Sequence, residues 1–182
     1  MRLTLLLTSL LFSASAHASP GHSGDDMDKF LTDKGLLNKL DQVRQSVGIR
    51  ASELVVNAMG FLGVPYRRGG NSAETGFDCS GFVRAIYEQT IGLVLPRRAD
   101  QQAAATESID KKDLQPGDLV FFNTMKRTFS HVGIYVGDGK FIHSPKPGAE
   151  VRVESMRIAY WAHRFGGARR VPGKPASFNP GE

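Results

Sequence analysis

The only cysteine of this 182-residue chain, Cys79, stands in the run Phe77-Asp78-Cys79-Ser80-Gly81-Phe82-Val83. Two histidines follow far downstream, in Ser130-His131-Val132-Gly133-Ile134-Tyr135 and in Phe141-Ile142-His143-Ser144. One thiol and two well-framed histidines are the parts of nucleophilic catalysis: a nucleophile, a general base and a group that orients the base. The polar neighbours Asp78 and Ser80 and the nearby glycines set Cys79 apart from a cysteine buried in an apolar core. Phe82, Val83, Ile86 and Tyr87 recur at helical spacing, which places Cys79 in the first turn of a helix. Unpaired N–H groups in a first turn favour the thiolate and can hold an oxyanion. The same three side chains could instead be three zinc ligands with an open fourth position. Against zinc, no His-x-x-x-His pair occurs and no spare acidic residue is evidently placed as general base. No metal and no cofactor is expected.

The elements that must bring these residues together follow from pattern. Gly137-Asp138-Gly139 reads as a hairpin turn between strands starting at His131 and Lys140. With a three-residue loop, Val136 faces Lys140, Gly133 faces His143, and the two histidines share one face as diagonal neighbours. That register also gathers Val132, Ile134, Val136 and Ile142 on the core face, whereas a two-residue loop at Asp138-Gly139 would send the histidines to opposite faces. His131 then serves as base and His143 fixes its tautomer and orientation. His22 and His163 read as ordinary histidines without a role.

Upstream, Ser52 suggests the N-cap of a helix through Leu54, Val55, Ala58 and Phe61, stopping at Gly63. A Gly- and Arg-rich loop leads on to Cys79, and Leu95-Pro96-Arg97 opens a short helix over about 99–106. Leu119–Phe122, Lys140–Ser144, Val151–Glu154 and Phe165–Val171 read as strands. Helices first and antiparallel strands afterwards define an α+β domain over residues 51–171.

Residues 1–18 have the form of a secretory signal: Arg2, an apolar run from Leu3 to Phe12, and the cleavage pattern Ala16-His17-Ala18. Residues 19–50 form an extension whose amphipathic helix is expected from about Met27 to Val47, and 172–182 a flexible Pro/Gly-rich tail. No segment is long and apolar enough to span a bilayer. An exported protein is expected, the periplasm first and the medium second. A chain with one cysteine forms no internal disulfide. The net charge of +5 becomes +4 once Arg2 leaves with the signal, a bias that suits an anionic envelope. Its Lys and Arg residues are scattered rather than striped, which argues against nucleic-acid binding.

The motifs together resemble the NlpC/P60 family of cell-wall cysteine peptidases over roughly residues 51–171. They are Gly63-Val64-Pro65-Tyr66 with Gly69-Gly70, the Cys79 run, and Leu95-Pro96-Arg97 with Gln102. Pro116-Gly117-Asp118-Leu119-Val120-Phe121-Phe122 and the His131 and His143 strands complete the set. The resemblance implies a papain-like fold with N-terminal helices packed on an antiparallel sheet. It implies Cys79 as nucleophile, His131 as base, His143 as third polar member, and a Tyr66 hydroxyl that helps the Cys79 N–H bind the oxyanion. Asp78, Ser80 and Arg97 fall where family members shape the site or contact substrate. The implied substrate is peptidoglycan: cleavage between γ-D-glutamate and the diamino acid, often meso-diaminopimelate, of stem peptides or muropeptides through an acyl-thioester. No SH3-like targeting domain is recognisable ahead of the catalytic part, which leaves open whether intact wall or released muropeptide is cut. An amidase, acyltransferase or transpeptidase would share this chemistry, and a catalytically silent wall-binding module is the alternative of another class. Whether a partner protein activates or inhibits the enzyme is left open.

Overall fold

The computed structural model describes residues 50–125 and 127–172. The signal segment, the helix expected near 27–47, His22 and the tail from 173 onward lie outside the described residues.

The chain is helical at 50–59 (α1), with Leu54 and Ala58 turned into the core while Val56 is exposed. Ser52 therefore lies inside this helix and is not its N-cap. A small antiparallel hairpin, β1 (Asn71–Ser72) and β2 (Gly76–Phe77), precedes α2 (Cys79–Ile91). Asp78 caps α2 by accepting the Gly81 N–H at 2.8 Å, and Gly92 closes it in the left-handed region at φ 67°. Then come α3 (Ala99–Ala104), β3 (Glu107–Ile109), β4 (Leu119–Phe122), β5 (His131–Gly137), β6 (Lys140–His143), β7 (Arg152–Ser155), α4 (Ala159–Ala162) and β8 (Phe165–Arg170).

The six larger strands form one sheet in the order β3-β8-β4-β5-β6-β7, every neighbouring pair antiparallel. Helices before an antiparallel sheet are the α+β arrangement expected from the sequence. Alternation along the strands divides the interior in two. Leu119, Phe121, Val132, Ile134 and Ile142 pack with Phe82, Val83 and Ile86 of α2. Val120, Phe122 and Phe141 pack on the other face with Met156 and Trp161.

The β5–β6 hairpin differs from expectation in its turn but not in its consequence. Gly137, rather than Val136, faces Lys140 across a two-residue turn, in which Asp138 and Gly139 have φ 52° and 69°. Two left-handed residues match the twist of the strands, as an Asp-Gly turn does well. The register then shifts between Tyr135 and Gly137, so Val136 is the extra residue of a bulge. Beyond it Ile134 faces Ile142 and Tyr135 faces Phe141, the pairing expected from the core-face residues.

At the far end of the sheet Asp118 is buried, grips Arg170 through both carboxylate oxygens (2.8 and 2.7 Å), and also accepts the Gln115 N–H. The Tyr87 hydroxyl donates to the Gly117 carbonyl beside it. These contacts fasten α2 to the turn that starts β4.

Candidate active site

Cys79 is the first residue of α2, as expected, and it is half-buried. Close backbone packing holds it there. Asp78 N–H donates to the Gly70 carbonyl at 3.1 Å. A Cβ on Gly81 would sit 2.1 Å from that same oxygen, so only glycine lets the loop lie on the first turn. The sulfur accepts the backbone N–H of Val132, which ties it to the residue after His131.

Arg97 binds both oxygens of Asp78 at 2.9 and 2.6 Å and donates to Ser80 Oγ at 3.0 Å. Gln102 braces this corner, its amide donating to the carbonyls of Ser80 (3.0 Å) and Pro96 (2.9 Å). Asp78, Ser80 and Arg97 thus form one unit beside the thiol. They line a cleft of about 440 Å³ that also borders Cys79, Arg127 and Phe129.

His131 and His143 are buried, at 4% and 0% exposure. His131 Nε2 lies 2.7 Å from His143 Nδ1, and His143 Nε2 lies 2.7 Å from Glu154 Oε2. Trp161 stacks on His131, with ring centres 5.3 Å apart and planes at 25°, and meets His143 edge-on. The two histidines therefore share one face, as the hairpin parity required. Their facing nitrogens bond to each other instead of converging on a common ion, and among the described residues no cluster of His, Cys, Asp or Glu has the makings of a metal site. His163 is exposed.

The thiol departs from expectation. Burial, and then the Asp78 carboxylate, push it up to about 11, against the N–H groups of Val132, Ser80 and Cys79 itself. The first turn does supply N–H groups to the sulfur, but desolvation outweighs them. Burial, with His143 alongside, holds His131 well below the ordinary imidazole value, and burial lowers His143 as well despite Glu154. The resting pair is neutral thiol and neutral imidazole. Tyr66 is half-buried; burial first, and then the neighbouring Cys79 and Asp78, raise its phenol, which stays a hydrogen-bond donor at neutral pH.

Three residues of this neighbourhood escaped the sequence reading: Glu154, Trp161 and Arg127. The first had a signal. Once β6 and β7 are paired, Val153 faces core-side Ile142, so alternation puts Glu154 opposite Phe141 on the histidine face.

The sequence model of the NlpC/P60 family matches residues 63–170. The chain belongs to the NlpC/P60 family. The murein DD-endopeptidase MepH of Escherichia coli K12 is 44% identical over 126 residues, covering 67% of this chain and 46% of MepH. The gamma-DL-glutamyl hydrolase of Bacillus subtilis 168 is 41% identical over 118 residues, covering 64% of this chain and 28% of that protein. The chain thus spans less than half the length of either curated relative. Among solved structures, an NlpC/P60 family protein from Bacillus cereus ATCC 10987 superposes with a TM-score of 0.62 at 38% identity, covering 66% of this chain and 40% of that one. The NlpC/p60 domain of the peptidoglycan hydrolase SagA gives a TM-score of 0.58 at 33% identity, covering 66% of this chain and 97% of that domain. The fold is the papain-like α+β fold of this family.

Proposed function

We propose that this protein is a peptidoglycan hydrolase, a cysteine endopeptidase that cuts stem peptides between γ-D-glutamate and the diamino acid. The observation that carries the reading is a cleft-bordering thiol tied to Val132, the residue after His131, with His131 bonded to a second buried histidine. His131 Nδ1, the nitrogen not engaged by His143, takes the Cys79 proton as the sulfur attacks the scissile carbonyl. The Cys79 N–H and the Tyr66 hydroxyl hold the oxyanion. His131 returns its proton to the leaving amine, and water then hydrolyses the acyl-thioester. Asp78, Ser80 and Arg97 shape the substrate side of the cleft. Residues 1–18 direct export, the periplasm is the place of action, and residues 51–171 are the catalytic domain.

A second reading concerns the bond. MepH, and MepS at 42% identity, are named murein DD-endopeptidases, whereas the Bacillus subtilis relative is named a gamma-DL-glutamyl hydrolase. Cleavage of a bond between two D-configured centres is therefore the competing activity.

Mass spectrometry of products separates the two. Purified sacculi and soluble stem peptides are incubated with residues 19–182, beside a Cys79→Ala protein. Products ending in γ-D-glutamate, from wild type only, are the expected result. Release of monomers from cross-linked material with the γ-D-glutamyl bond intact would replace the first reading by the second. Equal products from Cys79→Ala would remove Cys79 as nucleophile.

A further inference from the structure

The buried line from His131 does not end at His143. Glu154 Oε2 lies 2.7 Å from His143 Nε2, and three donors surround this carboxylate. Besides His143, Trp161 Nε1 donates to Oε2 at 3.2 Å and Arg152 Nη2 donates to Oε1 at 3.2 Å. His143, then Arg152, hold Glu154 below the usual carboxylate range, against its partial burial. An ionised carboxylate can only accept hydrogen bonds.

That constraint propagates through the line. His143 Nε2 must carry the hydrogen it shares with Glu154. A neutral imidazole protonated at Nε2 offers a lone pair at Nδ1. His143 Nδ1 faces His131 Nε2 at 2.7 Å, so His131 Nε2 must donate. His131, also neutral, is left with its lone pair on Nδ1. We infer that Glu154 is a positioning residue that acts through His143 to fix His131 in the tautomer able to accept a proton from Cys79. The reverse chain, with hydrogen on His143 Nδ1, makes His131 Nε2 an acceptor and puts the proton on His131 Nδ1. That arrangement blinds the base to a thiol. Trp161 strengthens the selection, because the same side chain stacks on His131 and donates to Glu154. During attack the Cys79 proton moves to His131 Nδ1, the Nε2–H bond to His143 stays in place, and Glu154 never needs to take a proton.

The inference rests on Cys79 and His131 being nucleophile and base, and its tautomer and alkylation readouts do not depend on the wall substrate. Nitrogen-15 spectra of the histidine side chains in the full chain report which ring nitrogen carries hydrogen. In wild type, His131 should be protonated at Nε2 and bare at Nδ1. Glu154→Ala should mix the tautomers, slow alkylation of the single cysteine by iodoacetamide, and lower kcat at least about tenfold with KM within about twofold. Glu154→Gln, which keeps an acceptor oxygen, should retain the tautomer and recover most of the rate. A wild-type His131 protonated at Nδ1 overturns the inference even if the alanine variant does not fold. So does a folded Glu154→Ala protein that melts lower yet keeps the tautomer and the alkylation rate, since Glu154 would then only tether β7. A wild type with the expected tautomer that leaves every stem peptide intact removes the substrate reading and leaves Glu154's role standing.

Discussion

The two faces of the central sheet are equally dry and differ in almost everything else. Toward α2, Leu119, Phe121, Val132, Ile134 and Ile142 are buried without a polar atom among their side chains. On the opposite face the same strands supply His131 and His143, enclosed by Phe122, Phe141 and Trp161. Burying two imidazoles costs free energy unless they are hydrogen-bonded, and here each has a partner. The sheet thus carries stability on one face and chemistry on the other. A single strand, β5, serves both through its period of two.

Paired substitutions three strand positions and one face apart should break this contrast most strongly. His131→Ala should lower kcat by roughly 10²–10⁴-fold, the usual worth of a general acid–base group. It should leave a folded protein whose Trp161 fluorescence changes, since the stacked ring is gone. Ile134→Ala should do the converse, losing about 2–5 kcal/mol of stability as core truncations do, with kcat per folded molecule within about twofold. Denaturant melts beside steady-state rates check both. A large loss of kcat in folded Ile134→Ala would show that the division by face does not hold.

How much of this was legible depends on what kind of constraint each residue obeys. The shared face of His131 and His143 followed from the apolar residues between them, because any register that split the histidines also expelled Val132, Ile134 or Ile142 from the core. The turn itself was not legible, since a two-residue turn plus a one-residue bulge gives the same parity as a three-residue loop. The helix that begins at Cys79 was written in local spacing. Glu154 was not, because its meaning depends on which strand lies beside β6 and on a tryptophan in a four-residue helix without visible period. The thiol's neutrality was missed for a similar reason: local geometry supplied the N–H groups, while desolvation came from the whole fold.

Gly133 sharpens the comparison, because it lies on the histidine face yet has no chemistry of its own. A Cβ there would sit 2.7 Å from the Phe141 ring, 2.8 Å from the Ile142 carbonyl and 3.1 Å from His143 Cβ. Gly133→Ala should therefore cost roughly 1–3 kcal/mol through overpacking. Unlike Ile134→Ala it should also lower kcat, because β6 must shift and carries His143 with it. Rates measured at saturating substrate, well below the melting temperature, separate the two effects. An unchanged kcat would mean that the pair of histidines tolerates displacement.

The smallest effect is a dependence of stability on pH, whose acid side belongs to the histidine face. His131 and His143 have values below the ordinary 6.5, so on acidification the unfolded chain binds protons before the native one does. Stability then falls as pH drops from about 6.5 toward the folded values, by about 1.4 kcal/mol per pH unit for each proton of difference. Glu154, also lowered, adds a second loss further down, once pH falls below its ordinary 4.5 toward its folded value. The apolar side chains that β4, β5 and β6 turn toward α2 contribute nothing, since none of them titrates. Cys79 acts at the other end: its thiol, raised from 9.0 to about 11, resists ionisation that the unfolded chain undergoes, so stability falls as pH rises between these values. Urea midpoints at pH 7, 6 and 5 should fall less steeply for His131→Ala than for wild type, and midpoints between pH 8 and 10 less steeply for Cys79→Ala. Parallel curves would mean that the imidazoles are solvated in solution, and the contrast between the two faces would then rest on packing alone.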